Sequence, residues 1–204
     1  MASKLDLSFS PNAPEGDHAI ICIVGDGGTL LPTLDKSLAA SVIAAMSTAN
    51  FKGDAGKSLT LHLENVSVLL IGTGEGVKPG SDAEEVGGRI FSRLDALERK
   101  RAYIPDPGLE ASVMADMLLG MMSCAYHFED YFTDAPKREK SVEVTVVSET
   151  LSQDHPEVAD RMALMAGVES GCQPSIHLSS GKKRKPLKYA GFLDGLVNIL
   201  ETIG

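Results

Sequence analysis

The chain has 204 residues, 43% of them apolar, and a formal charge of −9. That apolar share can fill one good core, and the acidic balance argues against binding a phosphate backbone as the main task. The N-terminal MASKLDLSF holds no signal-peptide core, and no run reaches the roughly 18 apolar residues of a membrane span. Cys22, Cys124 and Cys172 are odd in number and widely spaced, which reads as free thiols in a reducing, cytoplasmic setting.

Leu5, Leu7 and Phe9 alternate with Asp6, Ser8 and Ser10, the pattern of a half-buried strand. Residues 19–24 (AIICIV) form a continuous apolar run, as a central strand covered on both faces requires. Gly25, Asp26, Gly27 and Gly28 then turn the chain. A dinucleotide loop needs Gly-x-Gly-x-x-Gly opening directly into a helix. Here Leu30, Leu31 and Pro32 intervene and Asp26 would repel phosphate, so a plain turn is the first reading and a ligand loop the second.

Residues 34–48 suit a helix with Leu34, Leu38, Val42 and Ala45 on one side, and Asp35 suits the positive end of its dipole. Residues 51–57 are a polar loop. Leu59, Leu61 and Leu63 alternate with polar residues, and 66–71 (VSVLLI) reads as a second central strand. The two form a hairpin or flank a tight bend around Glu64 and Asn65, with His62 facing solvent. Gly72, Gly74 and Gly76, with Thr73 and Glu75, follow that strand and make a second candidate ligand loop, without the Gly-Lys-Ser/Thr ending of a triphosphate site. Ser81 or Asp82 caps the next helix, whose buried face is Val86, Ile90, Leu94 and Leu97. Gly87 and Gly88 there suggest close helix-to-sheet packing. Residues 101–104 suit a short strand, ended by Pro105, Asp106 and Pro107.

A helix over 109–125 places Val113, Met117, Gly120, Met121 and Cys124 on one face. An aromatic cluster follows: Tyr126, His127, Phe128, Tyr131 and Phe132. After a charged loop, Val142, Val144 and Val146 alternate as a strand. Residues 148–156 read as a linker, and 157–169 as a helix with Val158, Met162, Met165 and Ala166 together.

The stretch LLGMMSCAYHFEDYFTDAPKREKSVEVTVV resembles the end of the N-terminal domain of the leucyl aminopeptidases, the two-metal cytosol aminopeptidase family. Tyr126, Phe128 and Tyr131 match its aromatic pattern; His127 stands where the family usually has Arg, and Glu129 where it often has Asp. Phe51 to Gly53, the Gly72 to Gly76 loop and the small residues around Gly87 agree more loosely. The resemblance covers roughly residues 1–170. It implies an α/β fold, a mixed central sheet flanked by helices, similar in shape to a macro domain. On this reading residues 1–150 are the family-like domain, 151–171 a linker and the start of a connecting helix, and 172–204 a divergent tail, disordered or one short helix over 193–203. Lys182, Lys183, Arg184 and Lys185 in that tail read as a solvated basic run rather than a nucleic-acid site.

The family holds two divalent metals, such as Mn or Zn, with carboxylates and a lysine of its C-terminal domain. This chain has no Asn-Thr-Asp-Ala-Glu-Gly-Arg-Leu-like motif, so no catalytic residue, metal ligand or cofactor is carried over. His18, His62, His127, His155 and His177 lack metal-binding spacing, no Cys-x-x-Cys occurs, and Ser175 and Ser179 beside His177 have no triad context. The expectation is a truncated, non-catalytic N-terminal domain, monomeric or weakly oligomeric. The alternatives are a module binding a nucleotide or ADP-ribose at the two glycine loops, and an interaction domain pairing with a full-length aminopeptidase.

Overall fold

The apolar run of residues 19–24 sits at the centre of the molecule, as its lack of any polar face demands. The computed structural model describes residues 3–32, 34–63, 66–97, 100–126 and 140–177. In chain order these form β1 (Ser3–Ser10), β2 (Ala19–Gly25), β3 (Thr29–Leu30), α1 (Lys36–Thr48), β4 (Ser58–His62) and β5 (Ser67–Gly74). There follow α2 (Ser81–Ala96), β6 (Arg101–Pro105), α3 (Ala111–Ala125), β7 (Lys140–Val147) and α4 (Pro156–His177).

The sheet order is β1-β7-β6-β2-β5-β4, with β3 paired to the end of β2. Strands β1, β7, β6, β2 and β5 are parallel, whereas β4 runs antiparallel to β5 and β3 antiparallel to β2. The sheet is therefore mixed. The choice left open at residues 59–71 resolves as a hairpin.

Strand periodicity divides the core in two. Ile21, Ile23, Leu69, Ile71, Ile104, Val142, Val144 and Val146 face α2 and α3, with Val158 and Met162 of α4 joining the same cluster. Ile20, Cys22, Val24, Val68 and Leu70 face the other way, onto Val42 and Met46 of α1. Over β1 and β7 that second face is polar: the hydroxyls of Ser8 and Thr145 lie 3.0 Å apart, and Ser141 Oγ donates to Asp6 at 2.6 Å.

Several local expectations change. Gly87 and Gly120 meet at the crossing of α2 and α3, so the glycines serve helix-to-helix contact, not helix-to-sheet contact. A Cβ on Gly87 would lie 1.8 Å from the Met117 carbonyl oxygen, and one on Gly120 would lie 2.0 Å from that of Glu84. The N-cap of α2 is Gly80, with no cap from its own side chain, rather than Ser81 or Asp82. On α1 the buried partner of Val42 is Met46, while Ala45 is only half-buried. Asp35 does cap that helix, its carboxylate accepting from Ser37 N–H at 2.8 Å. Helix α4 does not end at Glu169, where the expected helix did, but runs on through Gly171 and Pro174 to His177. The Glu64–Asn65 turn, residues 127–139 and residues 178–204 lie outside the described residues, and with them His127, Phe128, Tyr131, Phe132 and the basic run.

Candidate functional site

Parallel strands deliver the loops after β2 and β5 to the same end of the sheet, where open α/β folds hold ligands. Gly25 and Gly74 are register partners, with an irregularity between Val24 and Gly25. The space between the two loops is taken by the chain's own segment 51–57. Gly28 N–H donates to Lys52 O at 2.8 Å, Gly74 N–H to Gly53 O at 2.8 Å, and Gly72 N–H to Lys57 O at 2.9 Å. A Cβ on Gly53 would stand 2.2 Å from Gly25 O, and one on Gly72 would stand 2.3 Å from Asp54 O. These glycines are needed because backbone crosses backbone there. Lys57 Nζ donates to Asp54 at 2.7 Å and, with its charge, holds the Asp54 carboxyl below its usual range. Thr73 Oγ1 donates to Val24 O at 3.1 Å, tying the two strand ends together.

The six candidate glycines thus separate. Gly72 and Gly76 line a cavity of about 370 Å³ between segment 55–56 and α2, while Gly25, Gly27, Gly28 and Gly74 do not. Sequence spacing gives no sign of the segment that intervenes. The other wall is the α2 face bearing Asp82, Glu85, Val86 and Arg89. Arg89 Nη2 donates to Glu85 Oε1 at 2.6 Å, with the Arg89 side chain 18% exposed and that of Glu85 74% exposed.

A second polar feature was not singled out from sequence. Asp116 lies within the apolar helix α3 and is 3% exposed. Its Oδ2 accepts the Gly80 N–H at 2.6 Å and its Oδ1 accepts Arg161 Nε at 2.7 Å. One carboxylate therefore joins the start of α2, the middle of α3 and the first turns of α4. The bond to Asp116 pushes the Arg161 guanidinium still higher than its usual value. The signal was available: a lone acid in VMADMLLGMM must face a partner or leave the core.

The remaining candidates are placed as follows. Tyr126 is half-buried and ends α3, its N–H donating to Met122 O at 2.9 Å. Cys22 is buried, and burial pushes its thiol up to about 12. Cys124 Sγ lies 3.3 Å from Ser92 Oγ. His62 is exposed, and His18 is buried edge-on to Tyr103. Among the described residues no three His, Cys, Asp or Glu side chains gather as a metal site would require, so these residues do not fit the family's metal pair. No helix among them is long and apolar enough to cross a membrane.

Comparison with known proteins places this geometry. The profile described as "Cytosol aminopeptidase family, N-terminal domain" matches residues 23–135. A probable cytosol aminopeptidase of Rhizobium etli is 28% identical over 180 residues, covering 82% of this chain and 36% of the relative. One of Gluconobacter oxydans is 29% identical over 173 residues, covering 80% of this chain and 33% of the relative. The chain thus spans about a third of the length of these relatives. A tomato leucine aminopeptidase mutant superposes with a TM-score of 0.63 at 15% identity, over 84% of this chain and 38% of that one, which shows a shared fold. With more than half of its residues inside the family profile, the chain belongs to the cytosol aminopeptidase family, as its N-terminal domain.

Proposed function

We propose that this chain works as the non-catalytic N-terminal module of a cytosol aminopeptidase-type protein. It would pack against a catalytic region that supplies the two divalent metals and the peptide-bond chemistry. The observation that carries this reading is the match of residues 23–135 to the family's N-terminal domain, in a chain that spans about a third of its relatives. That those relatives are named cytosol aminopeptidases supports a cytoplasmic setting. The domain division at residues 150 and 171 belongs to the same proposal. So does pairing with a full-length aminopeptidase, and so does a monomeric or weakly oligomeric state when alone.

The test is aminopeptidase activity of the purified chain on a leucyl-anilide substrate with Mn²⁺ or Zn²⁺, with and without chelator. No chelator-sensitive turnover is expected. Turnover that follows the protein through purification would place the metal site among residues assigned here to structure. Co-purification with a full-length aminopeptidase of the family is the expected sign of the pairing role.

The macro-like reading, with nucleotide or ADP-ribose between the glycine loops, has the cavity beside Gly72 and Gly76 in its favour. Against it stand segment 51–57 between the loops and the carboxylates of Asp26 and Glu75 beside them. Titration with ADP-ribose separates it from the first reading.

A further inference from the structure

We propose that the cavity between α2 and segment 55–56 binds a small zwitterion of the α-amino-acid class. Its volume of about 370 Å³ lies at the lower end of the range for small-molecule sites. Asp82, Glu85, Val86 and Arg89 recur at three- and four-residue steps, so one face of α2 presents all four to it. The Arg89 side chain is about four-fifths buried, and its one acceptor among the described residues is Glu85. A guanidinium carries five donors in a flat fork and pairs best with a carboxylate. Because Glu85 is largely in water, its pair with Arg89 is a weak competitor.

The charges around the cavity choose the class. Arg89 reaches back one turn to Glu85, and Asp82 stands three residues further, roughly 4.5 Å of helix rise, toward the start of the helix. A cation and an exposed carboxylate are thereby set at a spacing that suits the carboxylate and the ammonium of one small molecule. A phosphate or dicarboxylate would meet Asp82 and Glu85 without a counter-charge, and a simple amine would meet Arg89. Val77, Val86 and Ala55 supply apolar wall for a short aliphatic side chain. The wall is preformed, because Asp116 accepts the Gly80 N–H at the start of α2 and is itself held by Arg161. Preformed geometry lowers the ordering cost of binding. Such a site needs no catalytic partner.

The experiment is an amide-resolved NMR titration of the full chain with L-valine. Isobutylamine and isovalerate, which each keep one of its two charges, are the controls. L-Valine is expected to shift amides in residues 72–89 saturably, with each control at least about tenfold weaker, the loss that follows removal of one charge-assisted contact. Arg89→Met is expected to weaken L-valine by at least about tenfold, its folding checked by amide dispersion. Asp82→Asn, at an exposed position, should weaken L-valine and strengthen isovalerate. Absence of saturable shifts with L-valine overturns the proposal. So does equal binding of isovalerate and L-valine, which would make this an anion site, and so does unchanged affinity in both variants.

Discussion

Helices α1 and α3 are written in nearly the same alphabet and end in opposite situations. Both are rich in Ala and Ser and carry one charged residue each, Lys36 and Asp116. Yet α1 buries only Val42 and Met46, whereas α3 buries ten of its fifteen residues. The difference is one of neighbours. Among the described residues α1 is the one helix on its face of the sheet, while α3 is enclosed by the sheet, by α2 and by α4. Composition therefore does not set the depth of burial here; the connections do. The devices that fix one geometry, the Gly87–Gly120 crossing and the Asp116 junction, both sit on the α3 side.

The largest effect should come from filling that crossing. In Gly87→Ala the new methyl would meet the Met117 carbonyl at 1.8 Å, and a backbone atom in a packed helix cannot swing aside. Separation of the two helices should cost about 3 kcal/mol, the upper end of ordinary overpacking, measured by urea unfolding. Gly88→Ala sharpens the comparison, since its methyl would meet Gly120 O only at 3.7 Å. Ala is the better helix former by roughly 1 kcal/mol, so this neighbour should be neutral or stabilising. Equal losses for the two variants would mean that close approach is not what the glycine serves.

Next in size is the Asp116 junction. Arg161→Met removes one partner and leaves a buried carboxylate with the Gly80 N–H alone. Breaking such a pair from one side should cost about 2 to 3 kcal/mol, less than a fully buried pair because Arg161 is 29% exposed. Hydrogen exchange should quicken both in α4 and at residues 80–84. Exchange confined to α4 would show that Asp116 does not couple the two helices. The double variant Asp116→Leu with Arg161→Met should recover part of the loss, because no charge is then stranded.

On the α1 side the sensitive group is chemical rather than steric. Cys22 faces α1, and burial raises its thiol to about 12. Its folded pKa lies above its unfolded one, so its contribution is intact below about pH 8.5 and is lost as pH rises toward 12. Burial raises Tyr103 in the same direction, with Cys22 adding to it. Stability should therefore fall between pH 9 and 11, by about 1.4 kcal/mol for each unit over which the unfolded thiol is ionised and the folded one is not. Cys22→Ala should flatten that slope. An unchanged slope would mean that the thiol already meets water.

The residues that carry a period were the legible ones. The central strands, the hairpin partners and the buried face of α2 follow from alternation and three-to-four spacing, because burial itself produces those periods. Helix α3 departs from its expected single face, being buried all round from Val113 to Met121 with Cys124 only half-buried. The rest was hidden in contacts between distant segments. Nothing at Gly25 or Gly74 announces that residues 51–57 will lie between them. Gly87 reads as a small residue in a helix, but the backbone it meets is that of Met117, on another helix 30 positions away. Asp116 was legible in kind, as a charge in an apolar run, but its partners at 80 and 161 were not. Of the candidate ligand loops, the strand-end glycines were found while the Arg89 wall was not, since an Arg on a polar helix face looks solvated until the fold sets a cavity beside it.

The smallest effect tests whether α1's outer face is as free as the comparison makes it. Ile43 is 55% exposed and follows directly on fully buried Val42. Ile43→Lys gives up little buried area, and lysine is the better helix former, so stability should move by no more than about 0.5 kcal/mol. Val42→Lys, one position earlier, would put an ammonium into the core against Cys22 and Val68, and should unfold the domain. That contrast holds only while Ile43 faces water. Were Ile43→Lys to cost more than about 2 kcal/mol, the value for a buried aliphatic side chain, its side chain would have to be covered in solution. Concentration dependence of the melting temperature would then separate two covers. A second copy makes stability rise with protein concentration, whereas residues 178–204 of the same chain leave it constant.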